Sequence, residues 1–167
     1  MLYLLDASVL ITANNRYYPI DQVPEFWEWL HYMGLSNRVK IPVEIIEEIK
    51  EGRKDKDLLY SWIRDKANIE ALKLDEEVDI LLFRRVVNQG YASDLTDVEV
   101  DQLGRDPFLV AYAMAKTDRC VVTTEVSKPK RSRQNRHLPD VCQTMQVQCC
   151  DPFVLNRELG FKTSWRP

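Results

Sequence analysis

The sequence of 167 residues lacks several features that define large classes of protein. No apolar stretch approaches the roughly 20 residues needed to cross a bilayer, so the sequence predicts no contact with a membrane. No Gly-rich loop follows the first apolar run, which excludes a dinucleotide-binding enzyme of the usual type. No basic region precedes that run either, so we expect a strand there and not a signal peptide.

Cysteine and histidine are also scarce. The 4 cysteines (Cys120, Cys142, Cys149 and Cys150) and 2 histidines do not form the paired motifs of a zinc finger. A secreted disulfide scaffold would be shorter and richer in cysteine. We therefore expect buried or half-buried reduced thiols and a cytoplasmic location.

The remaining composition is that of an ordinary globular protein. Hydrophobic residues make up 45% and charged residues 29%, and the formal net charge is -3. Disorder along the whole chain is therefore not expected, and neither is a uniformly basic surface for nucleic acid. No repeat or linker divides the sequence, so we predict a single domain over residues 1–167.

The first apolar run ends in an acid. Leu2-Tyr3-Leu4-Leu5 leads directly into Asp6, and a helix is expected to follow. A short apolar run of this kind predicts a strand buried on both faces, the inner strand of a parallel sheet. Asp6 then lies at the carboxyl end of the strand, where ligands and catalytic groups collect in open α/β sheets.

Further acids follow other predicted elements. Val39-Lys40-Ile41 reads as a second strand, and Pro42 begins a helix over 43–51 in which Glu44 and Glu48 share one face. A strand over 119–123 ends in Thr124 and Glu125. Asp106 is expected to cap a buried, Ala-rich helix that leads into that strand, with Pro107 at its first position.

These acids are expected to meet at one edge of the sheet. Three or four bare carboxylates there would repel one another and raise one another's pKa values. A hard divalent cation, Mg²⁺ or Mn²⁺, resolves this repulsion with oxygen ligands. Ordinary roles are equally open, because Asp6 and Asp106 can cap helices and Glu48 can be a surface residue.

Three other segments carry structural predictions. Pro24 begins a helix whose Phe26, Trp27 and Trp29 are expected in the core, with a partner surface as the alternative. Residues 69–72 suggest a short edge strand or a connector. Residues 75–88 suggest a helix whose acidic first turn complements the helix dipole.

The acidic motifs, in order, resemble those of a known family. They are Tyr3-Leu4-Leu5-Asp6-Ala7-Ser8, a Glu-bearing helix after strand two, Asp106-Pro107 opening an Ala-rich helix, and Val121-Val122-Thr123-Thr124-Glu125. This series is similar to the PIN domain, the fold of metal-dependent ribonucleases that include VapC toxins. The Asp-Pro helix, the Thr-x-Glu strand end and Leu138-Pro139-Asp140-Val141-Cys142 resemble, more narrowly, a group of uncharacterised bacterial and archaeal PIN-like proteins.

The resemblance implies a three-layer α/β/α sandwich on a central parallel sheet and an endoribonuclease that uses Mg²⁺ or Mn²⁺. By its motifs, Asp6 and Asp106 bind the metal directly and Glu48 completes the site, with Glu44 as its competitor. Most PIN domains have Asp at the position of Glu125. Its longer side chain is therefore expected to contact the metal either directly or through a water. Ser8 and Thr124 are expected to support the site, with capping of the first helix as the alternative for Ser8.

A basic stretch fits this resemblance. Residues 128–136 contain no acid and hold Lys128, Lys130, Arg131, Arg133 and Arg136. Such cations contact phosphates and position RNA without reading its sequence. The alternative is a solvated loop. The family also implies an antitoxin partner of the VapBC type and a homodimer.

Two other functions remain in view. A phosphotransferase of the haloacid-dehalogenase type also begins with a strand and an Asp, but it requires a second Asp where this chain has Ser8. A non-catalytic PIN-like module that binds RNA or a protein partner is the alternative from a different class.

Overall fold

The sheet is built from four short parallel strands. The structure, a computed structural model, describes residues 1–52 and 57–166. Within them the strand order is β2-β1-β3-β4, and every pairing is parallel. The strands are β1 (Leu2–Leu5), β2 (Val39–Lys40), β3 (Arg119–Val122) and β4 (Gln148–Cys150).

The first strand is an inner strand, as predicted. It pairs with β2 on one side and β3 on the other, and Leu4 and Leu5 are fully buried. Leu5 lies opposite Val122 in the register. The chain therefore leaves both strands at the same edge of the sheet, where Asp6 and Thr123 begin the following segments.

Helices flank this sheet, which confirms the predicted α/β class and is consistent with three α/β/α layers. Helices α8 and α9 contact the sheet at β1, β3 and β4, and α2 and α5 contact it at β2. The helices are α1 (Ala7–Thr12), α2 (Pro24–Leu35), α3 (Val43–Glu51), α4 (Leu58–Arg64), α5 (Lys66–Leu72), α6 (Ile80–Arg85), α7 (Asp97–Gln102), α8 (Asp106–Met114), α9 (Leu138–Met145) and α10 (Pro152–Glu158).

Two helices follow the sequence closely. Helix α3 begins after Pro42 and ends at Gly52, and its apolar side is buried while its glutamates lie on the other side. Helix α2 begins at Pro24, and its aromatic residues Phe26, Trp27 and Trp29 are at most 2% exposed. The prediction that these rings belong to the core is confirmed, so they do not form a partner surface.

Two segments differ from their predictions. Residues 69–72 form the end of α5 and not a strand, because the Asp65 carboxylate accepts hydrogen bonds from the amides of Ala67 and Asn68 and starts a helix there. The helix predicted over 75–88 begins only at Ile80, where Asp79 caps it. Asp75, Glu76 and Glu77 lie outside any helix, so they do not complement the dipole of α6.

The expected state of the thiols agrees with the structure. All 4 cysteines are free; Cys120 and Cys142 are buried, whereas Cys149 and Cys150 are half-buried. Within residues 1–52 and 57–166, none of the helices combines the length and the apolar character that crossing a bilayer requires.

Candidate acidic site at the carboxyl edge of the sheet

Asp6 is fixed at the end of β1 through one of its two carboxylate oxygens. The side chain is 6% exposed, and its Oδ2 accepts hydrogen bonds from Ser8 Oγ at 2.5 Å and Thr123 Oγ1 at 2.8 Å. Among the described residues, Oδ1 has no recorded hydrogen bond. Asp6 is therefore held in a defined orientation with one oxygen left for another ligand.

A hydroxyl network joins the ends of β1 and β3. The Thr124 amide donates to Ser8 Oγ at 3.2 Å, and the Glu125 amide donates to Thr123 Oγ1 at 3.1 Å. Ser8 thus contacts Asp6 through its hydroxyl, and no side-chain hydrogen bond caps α1. Sequence reasoning named Thr124 and missed Thr123, whose side chain makes the contact with Asp6. The signal was its position directly after a buried strand.

We predict that Thr123→Val lowers the free energy of unfolding by roughly 1–2 kcal/mol, because the change removes a buried hydroxyl from Asp6 and from the Glu125 amide. Urea unfolding measures this difference. Thr124→Val is the matched control, since only the backbone of Thr124 joins the network, and we expect a change within about 0.5 kcal/mol. Equal effects of the two substitutions would contradict the assignment.

Asp106 is the first residue of α8 and does not cap it. The capping position belongs to Arg105, so the prediction of Asp106 as the cap was one residue off. A capping carboxylate would accept hydrogen bonds from backbone amides in the first turn of the helix. Instead, the Asp106 carboxylate has no recorded hydrogen bond or ion pair within residues 1–52 and 57–166.

The surroundings of Asp106 bring the predicted acids together. Burial raises the pKa of Asp106 well above its ordinary value, and the negative charges of Asp6, Glu125 and Glu48 raise it further. Coulombic effects decline with distance, so these three acids lie in the neighbourhood of Asp106. Four acids from β1, α3, α8 and the end of β3 thus share one region.

The two candidate glutamates of α3 have different neighbours. Burial and the charge of Asp6 raise the pKa of Glu48, while Arg105 lowers it. Glu44 Oε1 accepts from the Tyr112 hydroxyl at 3.3 Å. In both glutamates Oε2 is buried and has no hydrogen-bond partner among residues 1–52 and 57–166. The charge of Glu48, unlike that of Glu44, acts on Asp106.

Glu125 has a structural contact of its own. Its Oε2 accepts a hydrogen bond from the Leu138 amide at the start of α9 at 2.7 Å, and His137 Nδ1 lies 3.8 Å from the same oxygen. Glu125 also lines a cleft of about 840 Å³ between β3, β4 and α9. One carboxylate oxygen is therefore committed to the fold, which leaves the other for contact with a ligand.

The acids are not close enough to make a coordination sphere by themselves. Across residues 1–52 and 57–166, no group of three or more His, Cys, Asp or Glu side chains is placed so that it could hold a metal ion. The donors that face one another are nevertheless all carboxylates, and the buried Glu48 Oε2 has no partner. Oxygen donors of this kind suit a hard cation such as Mg²⁺ or Mn²⁺.

The basic stretch divides into structural and exposed cations. Arg133 forms ion pairs with Glu99 at 2.7 Å and Asp94 at 2.8 Å, and its hydrogen bond lowers the pKa of Glu99 to about 2. Arg136 donates to the carbonyls of Gly90 and Asp140 and to the Thr144 hydroxyl. The other three are exposed and have no ion pair recorded within the described chain: Lys128, Lys130 and Arg131.

Asp140 anchors the start of this stretch, a role that sequence reasoning missed. Its carboxylate accepts from Ser127 Oγ at 2.5 Å and from the Lys128 amide at 2.7 Å. Burial would raise the pKa of Asp140, but these hydrogen bonds and the charges of Arg136 and His137 bring it below its ordinary value. Its position in the first turn of α9 was the available signal.

Comparison with curated proteins gives no match. A family model does match, over residues 3–163, which is nearly the whole chain. The chain therefore belongs to the family described as Domain of unknown function (DUF4411).

Proposed function

We propose that this protein is a Mg²⁺- or Mn²⁺-dependent endoribonuclease of the PIN type that its motifs resemble. The observation that carries the proposal is the Asp106 carboxylate, which has no hydrogen-bond or ion-pair partner among residues 1–52 and 57–166. It also lies in the field of three other acids at the carboxyl edge of a parallel sheet. Unneutralised acids at this edge favour binding of a cation over a purely structural role.

The donors have separate tasks in this proposal. Asp6 Oδ1, Asp106 and Glu48 would hold the cation, and Glu125 would contact it directly or through water. Mg²⁺ usually keeps several waters, so it does not require three carboxylates already gathered on one point. When bound, the ion lowers the pKa of a water and stabilises charge on a phosphoryl oxygen.

Other residues orient the reactants. Ser8 and Thr123 hold Asp6 through its Oδ2, which leaves Oδ1 for the cation. Lys128, Lys130 and Arg131 are exposed and would contact phosphates, whereas Arg133 and Arg136 would hold the shape of the basic stretch. The RNA backbone would then lie along the cleft beside Glu125.

The test is incubation of the purified protein with mixed RNA in Mg²⁺, Mn²⁺ or chelator. The control is a protein with Asp6→Asn and Asp106→Asn, prepared identically. We expect cleavage that needs the metal and disappears in the control. Absence of cleavage by the folded wild-type protein would contradict the proposal, and cleavage that persists in the control would reveal a contaminating nuclease or different residues.

The two glutamates of α3 give a sharper prediction. Glu48→Gln is expected to lower metal-dependent cleavage on the order of 100-fold, because Glu48 faces Asp6 and Asp106. Glu44→Gln is the matched control on the same helix face, and we expect less than about a threefold change because its neighbour is Tyr112. A larger loss in the Glu44 variant would reverse the assignment.

A non-catalytic module that binds RNA or a protein partner is the second candidate. It is favoured by the lack, within residues 1–52 and 57–166, of a group of side chains that could hold a metal as placed. RNA binding without cleavage in any metal would support it.

The resemblance extends the proposal to biology. The protein would act in the cytoplasm as the toxin of a VapBC-type pair, with an antitoxin and a homodimeric state. Growth arrest on expression of the wild-type protein, relieved by Asp106→Asn, would support this extension. Unaffected growth at the same protein level would contradict it.

A further inference from the structure

An apolar pocket of about 240 Å³ lies beside the acidic site. One wall comes from α1, which starts directly after Asp6, and another from the segment that carries Glu125. Thr124 and Val126, the two neighbours of Glu125, both line the pocket. Its volume lies below the roughly 300–1,000 Å³ of pockets for drug-sized ligands and suits one small planar ring system.

Exposed aromatic rings form the mouth of this pocket. Tyr17 is 50% exposed and Phe153 is 41% exposed, and their ring centroids are 5.1 Å apart in an edge-on arrangement. Behind them, Tyr18 stacks on the buried Phe26 at 4.4 Å. Aromatic rings that stay open to solvent at a pocket mouth offer faces on which another ring can stack.

The pocket also contains a buried polar group without a partner. Asn156 is 8% exposed, and its Nδ2 donates to the Tyr18 hydroxyl at 3.3 Å. Its Oδ1 is buried and has no hydrogen-bond partner within the described part of the chain. A buried acceptor left unpaired is costly, so this atom indicates a ligand that brings a donor. The other polar residues that line the pocket are Thr12, Thr124 and Asp151, and the Asp151 carboxylate already accepts from the amides of Phe153 and Val154.

We propose that this pocket binds one nucleobase of the RNA, next to the phosphodiester bond that is cleaved. The inference rests on the proposed function and adds the substrate contact that positions the strand. A base stacks on Tyr17 or Phe153, and an N–H group on its edge donates to Asn156 Oδ1. Every base has such a donor, an amino group in adenine, cytosine and guanine and a ring N–H in uracil, so this hydrogen bond does not select among them. Stacking strength does, and the pocket therefore favours the larger ring of adenine over that of uracil.

The position of the pocket explains why a base belongs there. Lys128, Lys130 and Arg131 follow Val126 along the chain and are exposed for contact with the backbone of the strand. Thr124, which lines the pocket, donates its amide to the hydroxyl of Ser8, and the same hydroxyl donates to Asp6. A nucleotide with its base in the pocket would therefore have its phosphates within reach of Asp6 and of the exposed cations.

Fluorescence anisotropy with labelled RNA hexamers tests this pocket without any cleavage. The full chain is titrated in chelator with oligoadenylate, oligocytidylate, oligouridylate and an abasic hexamer. We expect Phe153→Ala to weaken oligoadenylate binding at least about fivefold, the effect of losing one stacked base. Tyr32→Ala, which removes a ring that is 38% exposed outside the pocket, is the matched control and should change nothing.

Two further comparisons separate base binding from backbone binding. The wild-type protein should bind the abasic hexamer and oligouridylate more weakly than oligoadenylate. Asn156→Ala should weaken binding of the hexamers that carry bases and leave binding of the abasic hexamer unchanged. Because Phe153 is exposed, its variant keeps the test valid even if Asn156→Ala does not fold. Equal binding of all hexamers, or equal effects of Phe153→Ala and Tyr32→Ala, would overturn the proposal.

The outcomes also distinguish this inference from the proposed function. Base-dependent binding without metal-dependent cleavage would support the nucleobase pocket and contradict the proposed nuclease activity. Metal-dependent cleavage that is unchanged in Phe153→Ala would support the nuclease activity and contradict the proposal that the pocket binds a base of the substrate. Binding at Phe153 of a peptide with an aromatic side chain, in place of RNA, would assign the pocket to a protein partner and overturn the proposal of nucleobase binding.

Discussion

Asp106→Asn is expected to abolish metal-dependent RNA cleavage and, at the same time, to stabilise the metal-free fold. A ligand that contacts the ion directly should cost more than the roughly 10–100-fold lost with outer partners. The gain in stability has a separate cause. No described residue forms a hydrogen bond or ion pair with the Asp106 carboxylate, and its pKa is raised by burial and then by Asp6, Glu125 and Glu48. A neutral amide at this position relieves the repulsion.

The stabilisation by Asp106→Asn depends on pH. A folded pKa above the unfolded value of about 3.9 means that the contribution of Asp106 is fully present below that pH and is lost as the pH rises through the folded pKa. Urea unfolding in chelator should therefore show a larger advantage of the variant at pH 8 than at pH 5. We expect roughly 1–2 kcal/mol at the higher pH, an ordinary size for a single substitution that removes a buried charge.

Asp140→Asn provides the matched control because it makes the same chemical change at a satisfied carboxylate. Asp140 accepts from Ser127 and Lys128, and its pKa is lowered, so its substitution should destabilise the protein by about 1–2 kcal/mol. The two substitutions are thus predicted to have opposite signs. Destabilisation by both to a similar extent would contradict the claim that Asp106 is unneutralised.

Glu76→Ala is expected to be the most destabilising single change outside the apolar core, by roughly 3 kcal/mol. Arg119, at the start of β3, is 2% exposed, and its Nη2 donates to both carboxylate oxygens of Glu76 at 2.6 and 2.7 Å. Removing Glu76 leaves a buried guanidinium charge without a carboxylate. Urea unfolding followed by tryptophan fluorescence measures the loss.

The effect of Glu76 should fade in acid. The hydrogen bond from Arg119 lowers the pKa of Glu76 more than burial raises it, and Lys116 adds to the lowering. A lowered folded pKa contributes stability above the unfolded value of about 4.3 and loses it as the pH falls through the folded pKa. Glu77→Ala, at the exposed neighbouring residue, should change stability by no more than about 0.5 kcal/mol at any pH. Equal losses of stability in Glu76→Ala and Glu77→Ala would show that the ion pair with Arg119 does not stabilise the fold.

Local patterns were sufficient for the elements around the site. The apolar run before Asp6 predicted the buried inner strand, and Pro42 and Gly52 predicted the limits of α3. The order of strands and acids predicted that their ends share one edge of a parallel sheet, because parallel strands all end on the same side. These features depend on neighbours in the sequence.

Features that depend on distant partners were not predictable. Glu76 was read as part of a helical first turn, but its partner Arg119 is 43 residues away. The roles of Arg133 and Arg136 depend on acids and carbonyls from other segments. The sequence therefore predicted more cations for contact with RNA than the folded protein leaves exposed. Thr123 and Thr124 are indistinguishable by residue type, and only the register of β1 against β3 places Thr123 on Asp6.

Calorimetric titration of the purified protein with Mn²⁺ tests the cation site without any RNA. We expect the wild-type protein to bind the ion, and Asp106→Asn and Asp6→Asn each to lose this binding while remaining folded. Asp140→Asn should keep it, because Asp140 is not among the acids whose charges act on Asp106. No binding by the folded wild-type protein, or unchanged binding in Asp106→Asn, would show that these acids do not form a cation site.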